Sequence, residues 1–174
     1  MLHYIFDTVL GTCGLAWEND QNALKRSFLS HCTRAELIER RDGTIVDEPP
    51  AWIAAVADRF ANHLTGRFDD FEDVALDMSG VSAVKARIYA RLRSVHAGHT
   101  TTYGALAAAI GKPGAAQLVG QAMATNPFLV LVPCHRVVAT NGQLGGFSAP
   151  GGVVTKNRLL AIEGVVVPAQ SVLF

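Results

Sequence analysis

The stretch TTYGALAAAIGKPGAAQLVGQAMATNP, residues 101–127, holds two short helical periods separated by Gly and Pro. Thr101 or Thr102 can cap the first, whose apolar face is Tyr103, Leu106, Ala107 and Ile110. Gly111 with Pro113 ends that helix and starts a second, which buries Ala115, Leu118, Val119 and Ala122. Two such helices form either a helix-turn-helix, whose second member enters a DNA groove, or a plain αα-hairpin. The outward face of the second helix, Gly114, Gln117, Gln121 and Ala124, carries no charge, so phosphate anchoring must come from flanking basic residues.

Immediately after it, PFLVLVPCHRVV (127–138) sets a cysteine and a histidine side by side at the end of an apolar run. Free cysteines are usually buried and inert, which is one reading of Cys134. The other is a nucleophile, because a nearby imidazole is a common means of making a thiolate. Neighbours on an extended strand point to opposite sides, so His135 could serve Cys134 only through a sharp turn or a bridging water. A third group should orient the imidazole, and Glu163 is the candidate. It is the sole acid after residue 80 and sits in the last turn of a helix, VVTKNRLLAIEG, that Gly164 stops. A carboxylate there opposes the helix dipole, so another interaction should retain it.

Working outward, the preceding segment VSAVKARIYARLRSV reads as a helix with Val81, Val84, Ile88, Leu92 and Val95 inside and Lys85, Arg87, Arg91 and Arg93 outside. The first 80 residues read differently. HYIFDTVLGTCGLAWEND and ALKRSFLS suggest a short antiparallel sheet, and Pro49 and Pro50 precede a helix with Ile53, Val56, Ala57, Phe60 and Leu64 at helical spacing. GRFDDFEDVALDMSG follows as a loop with one candidate strand. The expected architecture is α+β: an acidic domain over 1–80 with sheet and helix, and a mostly helical domain over 81–174.

Composition sharpens that division. Of 174 residues, 49% are hydrophobic, enough for one or two small cores. Residues 1–80 carry 7 Lys and Arg against 14 Asp and Glu, whereas residues 81–174 carry 8 against 1. The basic half suits a polyanion partner, or the two halves attract each other. No membrane span or signal peptide is read, so a cytoplasmic location is expected. Cys13, Cys32 and Cys134 are too scattered for a disulfide framework, and Cys13, Cys32, His3 and His31 lack paired zinc spacings, so no metal is expected. The loop NGQLGGFSAPGG has neither the P-loop ending nor dinucleotide-fingerprint spacing, and reads as a wall beside the cysteine.

Together, VPCHRVV, the helix pair, NGQLGGFSAPGG and LLAIEG resemble the 6-O-alkylguanine-DNA alkyltransferases over about residues 84–164. The resemblance implies that Cys134 accepts an alkyl group irreversibly from 6-O-alkylguanine in double-stranded DNA, with 4-O-alkylthymine as a further substrate the chemistry allows. His135 would activate the thiol through a water, Glu163 would orient His135, Asn126 would brace the turn, and Tyr103 would give a proton or hydrogen bond to the guanine. Met123, Val137, Phe147 and Ser148 would line the base pocket, and Thr102, Ala115, Ala116, Gln117, Gln121 and Arg136 would face DNA. The protein would act as a monomer without cofactor. Gln117 stands where relatives usually carry an inserted arginine, Ala124 where some carry another, VHAGHTTTY lacks the usual Pro-Tyr-Gly, and SAPGG has two extra residues. The competing readings are a non-catalytic sensor of alkylated DNA, whose members replace the cysteine, and a cysteine hydrolase unconnected to DNA.

Overall fold

The computed structural model describes residues 1–19, 22–30, 35–36 and 43–167; Cys32 and His31 lie outside these. β1 (Leu2–Thr8) and β2 (Gly11–Trp17) form a two-residue hairpin, and β2 pairs antiparallel with β3 (Leu24–Leu29). β4 (Thr44–Ile45) adds parallel to β1, giving the order β3-β2-β1-β4. Gly14 in β2 leaves room for the Phe28 ring, which a Cβ there would meet at 2.0 Å and displace.

Helix α1 (Ala51–His63) follows Pro50 and buries Ile53, Val56, Ala57, Phe60 and His63. That face packs on β1 and β2. The acidic segment after it is irregular, apart from a single bridge from Leu76 to Leu24. Helix α2 (Ala83–Arg93), capped by Ser82, buries Ile88, Tyr89 and Leu92. Its cationic face is partly committed inside the molecule: Arg87 donates to the Ile110 carbonyl, and Arg93 donates to those of Phe71 and Val74.

β5 (Thr101–Thr102) leads into α3 (Tyr103–Ala109), whose cap is Thr102, its side chain accepting from Ala105 N. The second helix, α4 (Ala116–Ala124), starts three residues beyond Pro113. Gly111 and Gly114 both hold positive φ and lengthen the connecting turn. A single-turn 3-10 helix, Cys134–Arg136, then runs into β6 (Val137–Val138), which pairs parallel with β5. Helix α5 (Gly152–Ile162) closes the order. Gly164 stops it at φ 77°, and Val165 N donates to the Leu160 carbonyl.

One apolar cluster joins Leu15, Trp17, Phe60 and Phe71 to Ile88, Leu106, Val119, Leu131 and Leu159. The edge strand β3 also braces the segment before Cys134. Ser27 N donates to Pro127 O (3.0 Å), Leu129 N donates to Ser27 O (3.3 Å), and Ser27 Oγ donates to Leu129 O (2.8 Å). No helix among the described residues is long and apolar enough to cross a membrane.

Candidate active site

The apolar run that precedes Cys134 is not an ordinary strand. Asn126, buried at the end of α4, donates from Nδ2 to Val132 O (2.9 Å) and accepts at Oδ1 from Phe128 N (3.0 Å). This clamp closes a tight loop in which Val130 takes φ 73°, a left-handed conformation costly for a β-branched residue. The chain then turns into the 3-10 helix, with Cys134 N donating to Val132 O and Arg136 N to Pro133 O. The turn takes the place of the extended strand end that the apolar run suggests.

Cys134 is 2% exposed yet forms part of the wall of a cavity of about 490 Å³. Tyr103, Ala116, Met123, Gly145, Phe147 and Ser148 contribute to the same wall, which joins α3, α4 and the Gly-rich loop. That volume lies within the range of small-molecule sites. Burial pushes the Cys134 thiol up; a hydrogen bond from the Asn126 side chain, the Lys156 charge and the backbone N–H groups of 134 and 135 pull it down. The other described free cysteine, Cys13, is pushed up to about 11, chiefly by burial, with a hydrogen bond to Thr8 opposing it.

Lys156 was not singled out in the sequence. It is buried, donates to the Val137 carbonyl at 2.6 Å, and stands 5.8 Å from the Tyr103 ring centre. Burial brings it down to about 8, against the pull of Cys134. The Tyr103 hydroxyl is moved the other way, up, by burial and then by Cys134, which keeps it a proton donor. Gly145 is needed beside it, since a Cβ would stand 2.6 Å from Tyr103 Oη.

Beneath the thiol lies a buried ionic cluster. Glu163 Oε1 accepts from His135 Nε2 (2.8 Å), His63 Nε2 (3.1 Å) and Arg136 Nη2 (2.9 Å), while Oε2 accepts from Arg136 Nε (3.1 Å). Burial alone would raise the Glu163 carboxyl; these donors overwhelm it and hold the group far below the usual carboxylate range. The interaction that retains an acid at the end of α5 is therefore this cluster. His135 is held below its ordinary value by burial, against the Glu163 hydrogen bond. Its Nε2–H donates to the carboxylate, and Nδ1 has no protein partner among the described residues.

Glu163, His63 and His135 have ligand atoms within 4.8 Å of one another. The shared oxygen already accepts three donors, one of them a guanidinium, so the geometry is that of a proton-linked cluster.

Two expectations are corrected. Arg136 does not face DNA: it is 1% exposed, and its remaining nitrogen, Nη1, donates to Asp70 Oδ1 (3.0 Å). The fork geometry of a guanidinium suits this two-carboxylate site, which a surface reading of arginine overlooks. Val137 does not contribute to the cavity wall; its side chain is in the core. Thr102 is spent on capping α3 and Ala115 is partly buried against the core, whereas Gln117 and Gln121 are exposed on α4. His63 is a site residue that no local motif announces.

A cysteine on the wall of a cavity of about 490 Å³, followed in the chain by an imidazole held on a buried carboxylate, with the helix pair α3 and α4 contributing to the same wall, defines a cysteine-nucleophile protein built beside a helix-turn-helix. Residues 83–165 match the family described as 6-O-methylguanine DNA methyltransferase, DNA binding domain. A Mycobacterium bovis methylated-DNA--protein-cysteine methyltransferase is 33% identical over all of this chain and 99% of its own length. One from Mycolicibacterium paratuberculosis is 38% identical over 73% of this chain and 74% of its own. The crystal structure of Mycobacterium tuberculosis OGT in complex with DNA superposes with a TM-score of 0.77 at 29% identity, covering 94% of this chain and 92% of that one. The chain belongs to the methylated-DNA-protein-cysteine methyltransferase family.

Proposed function

We propose that this protein repairs alkylated DNA by direct reversal, moving a methyl or small alkyl group from 6-O-alkylguanine in double-stranded DNA onto Cys134 Sγ. The observation that carries the reading is the Cys134 thiol on the wall of a base-sized cavity, with the His135 Nδ1 lone pair left free by the Nε2–H bond to Glu163.

The target carbon is inaccessible in the stack, so the nucleotide is extruded into the cavity, at a cost of a few kcal/mol that a badly paired lesion reduces. Phe147 and Met123 give the base apolar walls, and Tyr103 Oη donates to it. The thiol proton passes through a water to His135 Nδ1, and Glu163 stabilises the imidazolium that forms. Sulfur then attacks the alkyl carbon in line. The S–C bond forms as the C–O bond breaks, and the electron pair goes to the guanine oxygen. The resulting anion takes the proton that Tyr103 Oη donates, which the proton held on His135 balances, so the restored neutral base leaves. Burial holds the thiol up, so the proton transfer to His135 is what makes the sulfur a nucleophile.

A thioether is stable to hydrolysis, so each molecule acts once, and the displacement as written uses only the thiol and the alkylated base. The exposed face of α4 approaches the groove with Gln117 and Gln121. Residues 1–80 and 81–174 act as two domains of a monomer, located in the cytoplasm.

Intact-protein mass after incubation with a duplex carrying one 6-O-methylguanine tests this. The wild type should gain one methyl in place of one hydrogen, and Cys134→Ala nothing. Selective lesion binding without mass gain would establish a sensor instead.

A further inference from the structure

His63 lies 100 positions from Glu163 in the chain, yet its imidazole occupies the same carboxylate oxygen as His135. The tautomer is fixed by geometry. Asp69 N can only donate, and it points at His63 Nδ1 at 3.2 Å. The His63 proton is therefore on Nε2, where it donates to Glu163 Oε1. The Asp69 carboxylate that could compete is engaged by Arg59, at 2.6 Å from Nε and 2.9 Å from Nη2.

The ring is also held in place by its neighbours. Phe68 stands 5.9 Å away edge-on and Phe71 5.6 Å away, and the side chain is 1% exposed. His63 is thus a rigid donor pointed at the acceptor that must stay aligned with His135. The ionisable groups facing it come from every element packed there: Glu163 at the end of α5, His135 and Arg136 in the 3-10 turn, and Asp69 and Asp70 after α1.

We infer that His63 is a positioning residue of the Cys134 relay: from the acidic half of the chain it holds Glu163 so that the carboxylate keeps His135 in the Nε2–H tautomer and Nδ1 free for the thiol proton. The inference rests on the alkyl-transfer reading. It gives the first 80 residues a part in the chemistry as well as in the core. A hydrogen bond from His63 also spreads the Glu163 charge, which leaves His135 less readily protonated.

The test uses the full chain and two variants. His63→Phe keeps a ring for Phe68 and Phe71 and deletes both hydrogen bonds; His63→Gln keeps a donor and an acceptor. With saturating 6-O-methylguanine duplex, the single-turnover methylation rate should fall about tenfold or more in His63→Phe, with duplex affinity unchanged. His63→Gln should stay within about threefold of wild type. The acid limb of the rate–pH profile should move to higher pH in His63→Phe only. Long-range 1H–15N spectra should place both wild-type imidazoles in the Nε2–H tautomer.

Wild-type rate and an unmoved limb in His63→Phe would overturn the inference while leaving alkyl transfer standing. Equal slowing of both variants with no limb shift would mean a structural role alone, and also overturn it. An Nδ1–H tautomer at His63 would do so whatever the rates. A wild type that transfers no methyl would instead remove the alkyl-transfer reading, and this inference with it. Should His63→Phe fail to fold, the spectra and His63→Gln still decide.

Discussion

Replacing Arg136 by methionine removes a guanidinium that binds both Glu163 oxygens through Nε and Nη2, and Asp70 through Nη1. Methionine fills much of the same space, so the principal loss is charge and hydrogen bonds. Glu163 is left buried as an anion with two imidazole donors. Breaking one side of a buried ion pair costs about 3–5 kcal/mol. At roughly 2–4 °C per kcal/mol for a chain of this size, the melting temperature should drop by about 6–20 °C. Arg136→Lys keeps the charge but cannot span two carboxylates as a fork, so a loss of about 1–3 kcal/mol is expected.

The pH dependence adds a second check. The Glu163 carboxyl has a depressed value in the folded chain, so its stabilisation is complete above the unfolded value near 4.3 and is lost as pH falls through the folded one. Removing Arg136 raises the folded value, so Arg136→Met should lose stability at a higher pH than wild type. Urea and thermal melts on the full chain from neutral pH downward measure both effects. Because Arg136 is buried, the salt dependence of duplex binding should keep its slope. A variant within about 0.5 kcal/mol of wild type, or a shallower salt slope, would refute the buried-ion-pair account.

Asn126→Ala should destabilise by about 2–4 kcal/mol in urea melts, because Phe128 N loses its buried acceptor, Val132 O loses one of its two donors, and the loop that holds Val130 at positive φ keeps only its backbone bonds. Gly145→Ala should slow single-turnover methylation about tenfold by driving the Tyr103 hydroxyl out of place, with a melting temperature close to wild type. Gln117→Arg, on the exposed face of α4, should tighten duplex binding and steepen the plot of log affinity against log salt by about 0.9, measured by fluorescence anisotropy.

What the sequence discloses here is local. Gly164 as a stop is encoded within a few residues and the structure holds it; of the two threonines offered as a cap the structure uses Thr102, and of the geometries left open for Cys134 and His135 it uses a tight turn. The apolar stripe of α2 was legible too, although it omitted Tyr89, whose hydroxyl reaches the Ala122 carbonyl and permits full burial of an amphipathic side chain. Long-range ionic pairing is a different matter. Nothing near His63 or Asp70 signals a partner 66 to 100 residues away, and arginine is so commonly exposed that Arg136 read as a surface cation. The charge asymmetry between halves carried that information in aggregate: part of the basic excess is satisfied by carboxylates and carbonyls of the acidic half.

The shared oxygen of Glu163 also orders events in the life of the chain. Its donors come from α1, from the 3-10 turn and across 100 residues of sequence, so the imidazole of His135 acquires its fixed tautomer only after distant segments have docked. A partly folded molecule therefore carries Cys134 as an ordinary thiol without an aligned base. For a protein whose acceptor sulfur, that of Cys134, can be used a single time, late assembly acts as a safety catch, reserving the sulfur for molecules that have finished folding.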